Sequence, residues 1–342
     1  MIFFKLILCT FSFIGINLLL AGEEITPHTF ECSFAEEQEK STYVIPSSSR
    51  YMVQRTPEAA PDIIYYMSTP RHQESFPIAL LCTGSSSKNS ITSVIHFHRY
   101  FLQEFLDLGM AVISIEQWGV DGHSIHEQEF MDHYTRSQRL QDHKAVIEHL
   151  FEHPPKEWNG KFVLLGVSEG GLLVSSLTEC YSDSILATIN WSGAGDWSWQ
   201  EELWAFIEAF RKKGPWYLKL WDYVPTWLPF SFKVPKIKSE YDVYMQSMLS
   251  DPSTEEYFMG MTYKYHVDAM LYPLHDYQKI RSPFLVVSGA QDSLVASSDA
   301  FVQKAQEAGV PVTYIRIEDM DHYIRWRPDI IKKSFEWLRE QL

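Results

Sequence analysis

The sequence predicts an α/β fold: a mostly parallel sheet covered by helices on both faces and broken once by a helical insert. Three observations predict it. Short, continuous apolar runs end at or beside glycine, as strands buried on both faces do. Segments with helical spacing alternate with those runs. After the run Leu186–Gly193 the alternation stops for residues 194–276, then resumes.

The elements follow in order. Residues 23–40 are acidic and read as a poorly ordered lead-in. Between Tyr43 and Ser68, "YVIPSSSRYMVQRTP" and "DIIYYMSTP" hold β-like pieces broken by prolines, read as antiparallel edge strands. "PIALLCTG" (Pro77–Gly84) is the first buried strand. Ser93–Gly109 has helical spacing and ends in glycine, and "MAVISIE" (Met110–Glu116) is the next strand. Ser137–His153 is helical, Lys161–Gly166 a strand, Gly170–Tyr181 a helix and Leu186–Gly193 a strand. Past the insert come a strand at Pro283–Gly289, a helix around Asp299–Ala308, a strand at Val310–Glu318 and a last helix near Asp329–Leu342.

Bulk composition narrows the classes. The 342 residues fit one large α/β domain, and 45% apolar with 21% charged residues is ordinary globular composition. A formal charge of -15 without any Lys/Arg patch argues against nucleic acid as a partner. Residues 1–22 carry Lys5, an apolar stretch from Leu6 to Leu20, then Ala21 and Gly22. This predicts a secretory signal cleaved near Ala21 or Gly22, hence an exported, periplasmic or secreted protein. An uncleaved membrane anchor is the alternative, in which case the leader is the membrane contact. With Cys9 in the leader, Cys32, Cys82 and Cys180 are an odd set at wide spacing, so neither a disulfide framework nor a zinc site is expected. Cys82 reads as a buried thiol.

The insert carries six of the eleven tryptophans: Trp197, Trp199, Trp204, Trp216, Trp221 and Trp227. Two readings stand. These aromatics grip an apolar substrate over the strand ends, or they build the core of a small helical cap.

The chemistry centres on "GVSEG" (Gly166–Gly170), a G-x-S-x-G elbow between a strand and a helix. A serine hydroxyl needs a base, and the base needs an acid to hold its tautomer. Gly166 and Gly170 leave room for the sharp turn at Ser168, and Gly171 lets the helix approach the sheet. Asp292, just past the strand in "FLVVSGAQDSLV", is the expected acid. His322, in the loop of "YIRIEDMDHYI", is the expected base. The order Ser168, Asp292, His322 is the one this kind of fold uses. Asp196, after another strand, is a rival acid. Asp319 and Asp321 read as loop caps or charge tuning, while His96, His98, His123, His126 and His266 lack strand-end context. Two backbone donors would hold an oxyanion: Glu169, after the nucleophile, and Ser85 in "TGSSSKNS" (Thr83–Ser90), where Gly84 permits close approach. The Glu169 side chain is open between substrate contact and solvated filler. The loop Glu116–Ser124 is open between pocket lining and a structural role.

These residues, Gly166-Val167-Ser168-Glu169-Gly170-Gly171 with Asp292 and His322, resemble the α/β-hydrolase superfamily over roughly Ile63 to Leu342. The Ser-Glu-Gly-Gly continuation resembles a bacterial branch related to dipeptidyl-aminopeptidases and acylaminoacyl-peptidases, with esterases and thioesterases nearby. That branch often has a Gly-Ser-Gly-Pro-like turn where Gly84-Ser85-Ser86-Ser87 stands. The resemblance implies an eight-stranded sheet with one antiparallel strand near its start, and neither metal nor organic cofactor. The expected activity is hydrolysis of a carboxylic ester through an acyl enzyme, on a small-molecule or short-peptide substrate. The alternatives are an exopeptidase, with Glu201-Glu202 holding a peptide amine, and a catalytically silent binding protein.

Overall fold

The structure, a computed structural model, describes residues 48–56, 60–193, 195–213 and 234–342. The expected leader at residues 1–22, Cys32, and Trp216, Trp221 and Trp227 lie outside the described residues. Among the described residues no helix is long and apolar enough to cross a membrane. The chain divides into two units, one holding Ser41–Trp197 and Tyr272–Leu342, the other Ser198–Leu271.

The larger unit carries one sheet. Its strands are β1 (Ser49–Val53), β2 (Ile63–Ser68), β3 (Phe76–Cys82), β4 (Ala111–Ile115), β5 (Trp158–Val167), β6 (Ile185–Trp191), β7 (Phe284–Gly289) and β8 (Val312–Ile317). They lie in the order β1-β2-β4-β3-β5-β6-β7-β8. β2 runs antiparallel to both its neighbours and the rest are parallel. The expectation of two edge strands is therefore half right. β1 is the edge, but Ile63–Ser68 is an interior strand, and its apolar residues are buried because both sides are covered.

The helices of this unit are α1 (Ile95–Asp107), α2 (Glu127–His133), α3 (Arg136–Glu152) and α4 (Glu169–Tyr181), with α8 (Val295–Glu307) and α9 (Pro328–Gln341) after the insert. α2 was not legible in the sequence pattern. Gly109, at φ +74°, ends α1 in the left-handed conformation that glycine adopts without strain. Thr135 caps α3 by accepting the Gln138 amide at 3.1 Å, a contact worth about 1 kcal/mol.

Strand alternation feeds two cores. On one face Ala79, Leu81, Val163 and Leu165 pack with Phe101 and Phe105 of α1 and Ile331 and Phe335 of α9. On the other, Ile78, Leu80, Phe162 and Leu164 pack with Val146 and Ile147 of α3 and Leu173 and Val174 of α4. Burying each such side chain contributes about 1.5–3 kcal/mol, so the sheet is the rigid element on which strand-end loops are mounted. β3 lies between β4 and β5, so successive crossovers leave it in opposite directions. That makes the carboxyl ends of β3 and β5 the switch point where such sheets place ligands.

The smaller unit contains α5 (Trp199–Lys213), α6 (Val234–Ser250) and α7 (Tyr263–Leu271), with a short hairpin at Tyr257–Thr262. Leu203, Tyr241, Met245, Met248, Phe258 and Tyr263 form its own core, against which Trp199 and Trp204 pack. These two tryptophans serve the structural reading of the aromatic insert.

Candidate active site

β5 ends at Val167, and the chain turns at Ser168 directly into α4. Ser168 sits at φ 53°, ψ -126°, a strained conformation for a non-glycine residue. Its amide donates to the Trp191 carbonyl at 2.9 Å, and its carbonyl accepts the Gly171 amide at 2.8 Å, so both sides of the turn are held. The glycines are there for space. A Cβ on Gly166 would fall 2.2 Å from the Gly170 carbonyl oxygen, and one on Gly170 would fall 2.1 Å from that of Cys82. Gly171 likewise lies against Asn190 and Gly193, which brings the helix close to β6.

The three side chains singled out from the sequence meet here. His322 Nε2 lies 2.9 Å from Ser168 Oγ, and His322 Nδ1 lies 2.7 Å from Asp292 Oδ2. A carboxylate only accepts, so Nδ1 carries the proton and Nε2 is left to accept from the hydroxyl. Asp292 is buried, and its other oxygen accepts the Leu294 amide at 3.0 Å, which locks the carboxylate toward the imidazole. The His322 loop closes onto the end of β7. Ala290 and Gln291 donate to Ile317 and Met320, and a Cβ on Gly289 would meet the Met320 carbonyl at 2.1 Å.

The rivals are engaged elsewhere. Asp196 is buried against the Tyr277 hydroxyl at 2.7 Å and pairs with Lys304. Asp321 accepts the Tyr323 amide and Asp319 pairs with Arg327, each at 2.8 Å. His98 is buried between the hydroxyls of Ser68 and Ser114, and burial lowers its pKa to about 4. His266 is buried between the Trp199 indole and the Phe258 carbonyl, while His96, His123 and His126 are exposed. Among the described residues no cluster of His, Cys, Asp or Glu is arranged to hold a metal ion. Cys82 and Cys180 are free thiols, and burial pushes Cys82 up to about 12, far from reactive.

Of the two expected backbone donors, Glu169 opens α4 immediately after Ser168. Ser85 lies exposed in the loop after β3. Gly84 beside it leaves the nucleophile room, since a Cβ there would be 3.2 Å from Ser168 Cβ and 3.7 Å from Oγ. The neighbouring Ser86 amide is committed to the Tyr134 hydroxyl at 3.0 Å.

The Glu169 side chain is neither solvated filler nor placed for substrate contact. It is buried, accepting from Arg139 Nη1 at 2.6 Å, Tyr134 Oη at 2.9 Å and Arg136 Nε at 3.3 Å. Burial raises the pKa of Tyr134, and the carboxylate beside it raises it further. For Arg139, burial opposes the charge, but Tyr134 and Glu169 outweigh it and the guanidinium stays firmly protonated. Sequence reasoning missed Tyr134, Arg136 and Arg139. The only signal was two arginines one helical turn apart at the start of α3. Next to His322, Tyr323 is exposed with its ring edge-on to the imidazole at 5.8 Å between centroids. The Glu116–Ser124 loop is structural at its start: Glu116 binds the Ser93 hydroxyl and, at 3.0 Å, the Val94 amide at the head of α1.

Comparison with known proteins gives a family and a fold. Residues 93–325 match the family described as serine aminopeptidase, S33. No curated protein matches the chain by sequence. Among solved structures, an esterase from Pyrobaculum calidifontis is similar at a TM-score of 0.60 and 13% identity, covering 95% of this chain and 96% of that one. A bacterial heroin esterase is similar at 0.61 and 12%, over 94% and 93%. Pyrococcus horikoshii acylaminoacyl peptidase is similar at 0.53 and 14%, over 89% of this chain but 42% of the peptidase. At these identities the structural likeness speaks to the fold.

Proposed function

The chain belongs to the serine aminopeptidase S33 family and is a serine hydrolase of the α/β-hydrolase fold, and from that premise we propose that it cleaves carboxylic esters through an acyl enzyme on Ser168. The observation that carries the reading is the unbroken run from Ser168 Oγ through His322 to Asp292, at 2.9 and 2.7 Å. In it, Ser168 Oγ attacks the ester carbonyl while His322 Nε2 takes the hydroxyl proton. Asp292 holds the imidazole in the right tautomer and stabilises its charged form. The amides of Glu169 and Ser85 hold the oxyanion. The imidazolium then protonates the leaving alcohol, and water releases the acid by the same route.

The preference for an apolar substrate portion rests on Tyr323, 49% exposed with its ring edge-on to His322 at 5.8 Å between centroids. The family description favours one other reading, an exopeptidase on short peptides. That reading needs an acidic group for the peptide amine. Glu201, one candidate, accepts from the Ser198 amide and hydroxyl at 2.8 and 2.7 Å in a helix-capping arrangement.

A panel of p-nitrophenyl esters of increasing acyl length, run beside aminoacyl-naphthylamides, separates the two. Ester turnover at least tenfold above amide turnover in kcat/KM is expected. Faster release of naphthylamine would move the assignment to a peptidase.

A further inference from the structure

We propose that Glu169, Arg139 and Tyr134 form a positioning unit that aims the Ser85 amide at the developing oxyanion, an inference that rests on the reading of Ser168 as the nucleophile. Three consecutive peptide groups in the loop after β3 are tied to this one cluster. Arg139 donates to the Thr83 carbonyl from Nη2 at 2.7 Å and to the Gly84 carbonyl from Nη1 at 3.3 Å. The Ser86 amide donates to the Tyr134 hydroxyl at 3.0 Å. Tyr134 and Arg139 both end on the same oxygen, Glu169 Oε1, at 2.9 and 2.6 Å.

The consequence follows from peptide geometry. The Gly84 carbonyl and the Ser85 N–H belong to one planar trans peptide and point in opposite directions. Holding the carbonyl on the guanidinium turns the Ser85 N–H away from Arg139. The Ser86 amide, pinned on Tyr134 of the same cluster, stops the next peptide from rotating. A Cβ placed on Gly84 would fall 3.7 Å from Ser168 Oγ, so this peptide borders the reacting atom. Glu169 thus serves both halves of the oxyanion site: its backbone supplies one donor, and its carboxylate, through Arg139 and Tyr134, orients the other. Arg136 Nε, 3.3 Å from Glu169 Oε2, holds the second carboxylate oxygen.

The arrangement is buried, with Arg136, Arg139 and Glu169 each no more than 5% exposed. Such a charge cluster is rigid when complete and poorly tolerant of losing a partner. A donor fixed in advance need not reorganise as charge builds on the oxygen, which is where oxyanion sites draw their effect.

The test compares Glu169→Gln and Tyr134→Phe with the unsubstituted protein, using p-nitrophenyl acetate as substrate and phenylboronic acid as a tetrahedral mimic. Glu169→Gln is expected to lower kcat roughly 10–100-fold with KM within about threefold. The inhibition constant of the boronic acid should rise by a factor matching the loss in kcat/KM. Tyr134→Phe, which removes one hydroxyl and keeps the ring, should show the same pattern at roughly 3–10-fold, and it decides the matter if Glu169→Gln does not fold. Loss confined to KM, or unchanged kcat and boronate affinity in the folded variants, would overturn the positioning role alone. Failure of a fluorophosphonate to label Ser168 in the unsubstituted protein would overturn both this role and the reading beneath it.

Discussion

Among the described residues two buried aspartates, Asp196 and Asp292, follow strand ends, and the distances separate them. Asp292 lies 2.7 Å from His322, whereas Asp196 is taken up by Tyr277 and Lys304. Asp292→Asn is therefore expected to cut kcat roughly 10³–10⁴-fold, because the amide favours the wrong imidazole tautomer. Asp196→Asn should cost less than about tenfold and act through stability. Ester kinetics on both variants check this, and a larger loss at Asp196 would reassign the acid. The meeting of Ser168, Asp292 and His322 was legible in the sequence because each is a distinctive residue type at the end of an apolar run. The Glu169 cluster was not. It joins a residue of the elbow to Tyr134 and two arginines 30 to 35 positions earlier, and no periodicity marks such a contact.

Strands buried on both faces leave long apolar runs, so β3 to β8 were readable to within a few residues. α2, a single seven-residue helix with two buried residues, lacks the repeat that would announce it. The prolines flanking β2 predict an edge strand, yet β1 covers its outer side. α1 and α3 each bury a histidine, His98 and His143, and burial holds both near pKa 4. The unfolded chain protonates them below about 6.5 while the folded chain does not. Their stability contribution is thus fully present above pH 6.5 and is lost as pH falls toward 4, at up to about 1.4 kcal/mol per pH unit each. Glu116 and Asp142, raised by burial, work in the opposite direction on acidification. Thermal unfolding at pH 7 and pH 5 should show a drop in Tm that His98→Gln narrows. An unchanged drop in that variant would remove His98 from the account.

At the scale of the molecule, the sequence separates scaffold from insert because strand–helix alternation stops and restarts. The described insert has a core of its own, and that explains Trp199 and Trp204 without a ligand. The scaffold brings Ser168, Asp292 and His322 together at one end of its strands, since β3, β5, β7 and β8 run parallel and their following loops leave from the same side. The central claim is that the loops at these strand ends activate Ser168. The most direct measurement is fluorophosphonate labelling of the full chain followed by peptide mapping, repeated in His322→Ala. The account predicts an adduct on Ser168 that is lost, or slowed by at least about a thousandfold, without the imidazole. A folded protein that takes no label, or labels Ser168 equally well without His322, would contradict it.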